Sequence, residues 1–139
     1  MRSFFASLAG IISAGLVVFV LEQLGHVLFA PAGALPDPSD AQAMAEYVTS
    51  QPLPAKLWLV LAWSMGATSG CFIGTRIGQG QALPAALVAA FILLGIVSKV
   101  MAIPHPLWLT AAGIFAVALS SLAGYRLGLG PAAPRQNSS

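Results

Sequence analysis

Five polar side chains attract attention because they lie at the ends of long apolar segments. Residues 21–26 read LEQLGH and directly follow FFASLAGIISAGLVVFV, in which no residue carries a charge. Glu22, Gln23 and His26 therefore end the first apolar segment, whereas Lys99 ends the third and His105 begins the fourth. A carboxylate, an ammonium group and two imidazoles could hold a proton, an ion or a small ligand.

Glu22 and Lys99 are predicted to form an ion pair. At about 1.5 Å per helical residue, Glu22 lies about 27 Å along the first helix and Lys99 about 23 to 26 Å along the third, measured from the same membrane surface. Charges at that depth normally face the bundle interior and find partners. His26 shares a helical face with Glu22, and His105 enters at the same level. We predict an outward-facing cluster consisting of Glu22, Gln23, His26, Lys99 and His105.

Three interpretations of this cluster remain open. It could be structural, with Glu22 and Lys99 fixing the helix register. It could be a proton-linked or small-ligand site, because buried carboxylates and histidines can titrate near neutral pH. It could also bind a metal ion, since Glu22, His26 and His105 are suitable ligand types. We nevertheless expect no metal and no cofactor, because the HExxH spacing and paired cysteines are missing and Lys99 would repel a cation.

The composition determines which elements must position these residues. The chain of 139 residues is 58% hydrophobic and 7% charged, against roughly 45–50% and 25% for soluble domains. Segments of about 20 apolar residues can cross a bilayer as helices. We predict an all-α integral membrane protein, with a single four-helix domain over residues 1–130 and a disordered cytoplasmic tail over 131–139. The transmembrane helices are expected at about 4–29, 54–76, 83–102 and 106–128.

Positive charges predict the orientation of the helices. Arg2, Arg76, Arg126 and Arg135 fall on one side, and Lys56 and Lys99 fall on the other. Because cytoplasmic loops carry the excess of Lys and Arg, both termini are predicted to be cytoplasmic, in a cell membrane of the bacterial inner-membrane type. A cleaved signal peptide ending near Ala30 and Ala32 is the alternative for the first segment. We favour a transmembrane helix because the apolar run exceeds the roughly 7 to 15 residues of a signal core.

The loop after the first apolar segment contains a predicted surface helix at about 40–50. Ser39 and Gln42 have the spacing of a capping box, and Ala41, Met44 and Val48 fall on one helical face. We interpret this short amphipathic helix as a segment that covers the outer end of the bundle. A binding lid is the alternative.

The second and fourth apolar segments look like copies of each other. LWLVLAWSMGATSGCFIGTRIGQG aligns without gaps on LWLTAAGIFAVALSSLAGYRLGLG, with eight identities in 24 positions. We predict two helical hairpins related by an approximate two-fold axis along the membrane normal, as in parallel-repeat transporters. The identities include four predicted anchors at the membrane interfaces: Trp58, Trp108, Arg76 and Arg126.

Small residues recur every four positions in both copies. Such stripes let helices approach closely in lipid, within one chain or between chains. They predict tight helix packing and a homo-oligomer, most simply a dimer. The residues are Gly66, Gly70, Gly74 and Gly78 in one copy, and Ala112, Ala116, Ser120, Gly124 and Gly128 in the other.

The sequence contains no signature of catalysis or nucleic-acid binding. There is no GxSxG, phosphate loop or nucleotide fingerprint, and no basic patch. We therefore expect no enzyme and no nucleic-acid partner. Besides the lipid bilayer, two classes of function remain. One is a small transport or ligand- or ion-binding protein that uses the polar cluster; the other is an accessory or scaffolding subunit that binds another membrane protein through its small-residue stripes.

Overall fold

The computed structural model describes residues 1–29, 36–37, 39–103 and 105–130. They form five α-helices: α1 (Arg2–Leu28), α2 (Ala41–Ser50), α3 (Leu53–Ile77), α4 (Ala82–Ala102) and α5 (Leu107–Gly128). All except α2 are long and apolar enough to cross a membrane, which confirms the predicted all-helical architecture with four membrane-spanning helices. The helix ends lie within two residues of the expected positions. The predicted tail and the alternative cleavage site at Ala30 and Ala32 lie outside the described residues.

The start of α2 differs in detail from the expected capping box. Asp40 is the N-cap, because its carboxylate accepts hydrogen bonds from the backbone N–H groups of Gln42 and Ala43 at 3.1 and 3.0 Å. Ser39 instead donates its backbone N–H and its hydroxyl to Asp37, at 2.8 and 2.7 Å. These two bonds hold the pKa of Asp37 below its usual value. The assignment of Ser39 as the cap was therefore wrong by one residue.

The central helix of the bundle is α3, which packs against α1, α4 and α5. In addition, α4 contacts both α1 and α5. By contrast, α1 and α5, each described over its full length, do not pack along one another. The core lies around α3 and α4 and consists of Ala14, Trp63, Ala67, Cys71, Ala85, Val88, Ile92, Ile96 and Val117.

Small residues bring the backbones of α1 and α3 together. A Cβ atom added at Gly70 would lie 2.6 Å from the carbonyl oxygen of Gly10 and 2.7 Å from the Cβ of Ala14. One added at Gly66 would overlap the side chain of Val18. We call this contact, formed by Gly10, Ala14, Gly66 and Gly70, the α1/α3 seam. The first predicted stripe therefore lies inside the monomer, with all its glycines buried: Gly66, Gly70, Gly74 and Gly78.

The second stripe also faces a neighbour within the monomer. A Cβ atom at Gly124 would overlap the carbonyl oxygen of Thr68 and lie 3.0 Å from the Cβ of Cys71. One at Gly128 would lie 2.6 Å from the Cβ of Thr75. These glycines thus let α5 lie close to α3. The other members of the stripe are half-buried: Ala112, Ala116 and Ser120.

The packing of the helices does not follow the sequence repeat. A two-fold axis relating the two hairpins would give α1 and α5 a contact equivalent to that between α3 and α4, yet only the latter pair packs. The duplication stays a prediction without support from the packing. Since the glycines of both stripes face neighbours within the monomer, these glycines no longer give a reason to expect a homo-oligomer.

Candidate functional site

Glu22 and Lys99 meet at one end of the bundle. We call it the α2 end, because it holds α2, the last turns of α1 and α4, and the first turns of α3 and α5. The Lys99 Nζ lies 2.5 Å from the Glu22 Oε1, and the side chains are 46% and 18% exposed, respectively. The predicted ion pair is therefore present. It connects α1 to α4 at a place where the two helices have no glycine contact.

Trp63 completes the environment of the carboxylate. Its indole Nε1–H donates to the same Glu22 oxygen at 3.1 Å, and its side chain is only 3% exposed. Glu22 is thus held by α4 through Lys99 and by α3 through Trp63.

Sequence reasoning missed Trp63, although the repeat contained a signal for it. Trp63 aligns with Gly113 in the second copy, and a Cβ atom added at Gly113 would lie 2.7 Å from the Trp63 ring. The Trp63 ring occupies the space that Gly113 leaves open because it has no side chain. An aligned pair whose side chains differ so much in volume could therefore have indicated this contact between α3 and α5.

A cavity of about 350 Å³ lies beside the ion pair, between α2 and the bundle. We call it the α2 cavity. Its polar lining comes from every helix except α5 and from the α4–α5 connection: Glu22, His26, Tyr47, Gln51, Lys56, Lys99 and His105. Its apolar lining includes Phe29, Met44, Val48, Trp58, Leu59 and Leu109. Gln23 is exposed and does not line the cavity, so four of the five predicted cluster residues lie together and one does not.

The two histidines differ in their surroundings. The Nδ1 of His105 lies 2.6 Å from the carbonyl oxygen of Ile103. Because a carbonyl can only accept, Nδ1 carries the proton, and in the neutral ring Nε2 is an acceptor. His26 is exposed and lines the cavity one helical turn beyond Glu22. Among the described residues, no three His, Cys, Asp or Glu side chains lie close enough to hold a metal ion.

The short helix α2 covers the cavity with Met44, Tyr47 and Val48. It does not pack along any other described helix. Its last turn is held by Lys56, whose Nζ donates to the carbonyl oxygen of Thr49 at 2.7 Å. A cation at a helix C-terminus is favourable. This bond attaches the end of the cover to the start of α3.

Trp58 and Trp108 occupy equivalent positions in the repeat but have different surroundings. The Trp58 Nε1–H donates to the Leu21 carbonyl oxygen at 2.8 Å, and its ring lies against Gly25, where a Cβ atom would be 2.6 Å away. Trp58 therefore forms a wall of the cavity, which its expected role as an interface anchor did not include. Trp108 is 46% exposed.

The predicted arginine anchors lie at the opposite end of the bundle. Arg76 and Arg126 are both exposed. The Arg76 guanidinium lies 5.9 Å from the centre of the Phe72 ring, within reach of a cation–π interaction. Anchoring by these residues and by Trp108 stays a prediction.

No protein family, curated protein or solved structure matches this chain.

Proposed function

We propose that this chain is a small ligand-binding membrane protein that holds an acidic, largely apolar molecule in the α2 cavity. The observation that carries the proposal is the cavity itself, which lies beside the Glu22–Lys99 pair and under the α2 cover. The sequence contains no enzyme motif, so the proposal is binding without catalysis.

The size and lining of the cavity support a small ligand. Ligand pockets typically have volumes of about 300–1,000 Å³, apolar walls and a few polar groups that fix orientation. The α2 cavity, at about 350 Å³, has apolar walls such as Trp58, Leu59 and Leu109, and polar groups are among its lining residues. A molecule with one apolar body and one polar group would match both kinds of surface.

The charge of the lining favours an acidic group on that ligand. The described residues that line the cavity include one carboxylate, Glu22, and two ammonium groups, Lys56 and Lys99, so together they carry one net positive charge when His26 and His105 are neutral. Each ammonium has three donors. Lys56 uses one on Thr49 and Lys99 uses one on Glu22. A carboxylate or phosphate could accept from the remaining donors.

The closed half of the bundle favours binding over transport. Away from the α2 end, α1 and α3 touch through Gly10 and Gly70, which leaves little room for passage between them. The scaffolding alternative depended on free small-residue stripes, but those glycines face neighbours within the chain. Transport, scaffolding and a homo-oligomer therefore have weaker support than ligand binding.

Binding of a defined probe tests the proposal. We would measure the affinity of 4-phenylbutyrate by calorimetry in a mild detergent, and compare it with 4-phenylbutanol, which lacks the acid. The carboxylate should bind at least about tenfold more tightly, since a hydrogen bond to a charged group contributes roughly 1.5–3 kcal/mol. Lys56→Met and Lys99→Met should each reduce that difference.

A matched pair of variants locates the probe. Leu59→Trp fills the α2 cavity and should abolish binding, whereas Leu61→Trp, on the exposed side of α3, should leave binding unchanged. Equal binding to both variants would show that the probe is elsewhere. Equal affinity for acid and alcohol would contradict the role given to the ammonium groups.

The proposed orientation places the α2 cavity on the outer side of the membrane. A cysteine introduced at Ser39 should then react with an impermeant maleimide added to intact cells, whereas one introduced at Gln79 should not. The native Cys71 is buried and provides the background. Labelling at Gln79 alone would reverse the orientation.

A further inference from the structure

A second, smaller cavity adjoins the ion pair on the side facing away from α2. It has a volume of about 180 Å³ and lies between α1 and α4. Glu22, Trp63 and Lys99 line it at one end, and Phe19 and Phe91 line it further along. Since Glu22 and Lys99 also line the α2 cavity, the ion pair separates two adjacent spaces. We call the second space the α1/α4 groove.

Two glycines in this groove have no packing role. A Cβ atom added at Gly15 or at Gly95 would meet no atom of the described residues within 4 Å. Glycine within a helix is disfavoured relative to alanine, so glycines that let no neighbour approach need another explanation. Both line the groove, one on each wall. Their effect is to keep an apolar space open along the helices.

The length of the groove fits one lipid chain. From Glu22 to Gly15 is seven residues, about 10 Å along α1, and from Lys99 to Phe91 is eight residues, about 12 Å along α4. One leaflet contributes half of the roughly 30 Å hydrocarbon core, or about 15 Å. The groove thus follows most of the depth of a single leaflet, starting at the charged residue Lys99.

We propose that the α1/α4 groove binds the acyl chain of a monoacyl lipid anion, such as a fatty-acid carboxylate, whose head group is bound by Lys99 at the border of the α2 cavity. This inference rests on the proposed function, and it adds the ligand class and a route of access from the bilayer. One groove between two helices takes one chain. The net positive lining of the adjacent α2 cavity selects an anionic head over a neutral one.

A photoreactive fatty acid tests this assignment. The probe is dodecanoate carrying a diazirine near its methyl end, added to the full chain in phosphatidylcholine nanodiscs. Saturable labelling should map to Gly15 and Phe91, which lie about 10 to 12 Å from the ion pair, and unlabelled dodecanoate should compete at least about tenfold better than dodecanol. Labelling spread over all lipid-facing helices without saturation would overturn the proposal.

Variants of α4 provide the matched comparison. Gly95→Leu fills the groove and should reduce specific labelling about tenfold or more, whereas Ala90→Leu, on the opposite face of the same helix, should not. Gly15→Val fills the groove from α1 and keeps the test valid if Gly95→Leu does not fold. Unchanged labelling in a folded groove variant would overturn the assignment.

Two further outcomes separate this inference from the proposed function. If 4-phenylbutyrate binds the α2 cavity but dodecanoate gives no saturable labelling, the lipid assignment fails and the ligand site stands. If neither probe binds, both fail. Competition by dioleoyl phosphatidylglycerol as strong as that by dodecanoate would overturn the monoacyl assignment, because a diacyl lipid has a second chain that the groove does not hold.

Discussion

The α1/α3 seam and the α1/α4 groove use glycine in opposite ways on the same helix. At Gly10, an added Cβ atom would lie 2.7 Å from the Gly70 carbonyl oxygen and 2.7 Å from a methyl group of Val88. At Gly15, five residues later, it would have no neighbour within 4 Å in the part of the chain that the structure describes. The first glycine permits a contact, and the second leaves a space. Glycine frequency alone therefore does not show where helices touch.

Glu22 lies where these two regions meet. It is bound to α3 by the Trp63 indole and to α4 by the Lys99 ammonium. The packed part of the bundle could fix the carboxylate through Trp63 while the open part exposes Lys99 to a ligand. Variants in the seam, the ion pair and the groove should therefore change the free energy of unfolding by different amounts, and some should raise it whereas others lower it.

The largest effect is expected in the seam. Gly70→Leu places a side chain where the Gly10 carbonyl oxygen, the Ala14 Cβ and a Val88 methyl group lie within 2.8 Å of the first added atom. Because a backbone carbonyl cannot move aside cheaply, we expect destabilisation of about 3 kcal/mol or more. Unfolding in mixed micelles, followed by circular dichroism, would measure it.

The matched variant is Gly15→Leu, which introduces the same side chain into open space on α1. Its free energy of unfolding should be at least that of the wild type, because no clash opposes the higher helix propensity of leucine. Equal destabilisation by Gly15→Leu and Gly70→Leu would remove the distinction between seam and groove.

The ion pair should have an intermediate effect. Glu22 is 18% and Lys99 46% exposed, so each single change, Glu22→Gln or Lys99→Met, should destabilise by roughly 1–3 kcal/mol, less than the 3–5 kcal/mol of a fully buried pair. The double variant should cost less than the sum, because neither charge is left without its partner. A thermodynamic cycle from unfolding in detergent measures this coupling. Strictly additive effects would mean that the pair contributes nothing.

The pair could be predicted from the sequence because few partners were available. An apolar chain with one carboxylate in its first segment and one ammonium in its third, at equal depth, leaves little choice. The helix ends were predictable for a similar reason, since apolar length and proline positions both mark them.

The surroundings of the pair could not be predicted in the same way. Whether Trp63 faces Glu22 depends on the rotation of α3, which a uniformly apolar helix does not reveal. The partner of the α3 stripe was predictable in principle, since Ala6, Gly10 and Ala14 are also spaced by four. The α2 cavity and the α1/α4 groove depend on side chains from several elements, so only tertiary structure shows them.

Removing the indole donor should have a smaller effect than removing a charge. Trp63→Phe keeps an aromatic ring against Gly113 but loses the hydrogen bond to Glu22, and we expect about 1–2 kcal/mol of destabilisation. Trp108→Phe, which changes an exposed ring, should stay within about 0.5 kcal/mol. Thermal unfolding of both variants in the same detergent provides the comparison. If Trp63→Phe loses no more stability than Trp108→Phe, then α3 does not hold the Glu22 carboxylate.

The smallest change in stability is expected from Gly95→Ala, and like that of Gly15→Leu it should be stabilising. A methyl group fits there without contact, so alanine should stabilise α4 by up to about 1 kcal/mol through its higher helix propensity. If the groove holds an acyl chain, the same methyl group narrows the space and should weaken saturable labelling by the photoreactive dodecanoate. On one preparation of Gly95→Ala, the free energy of unfolding should thus rise while saturable labelling falls. Stabilisation with unchanged labelling would leave Gly95 as a residue without a function in the groove, and destabilisation would show that a neighbour does occupy this space.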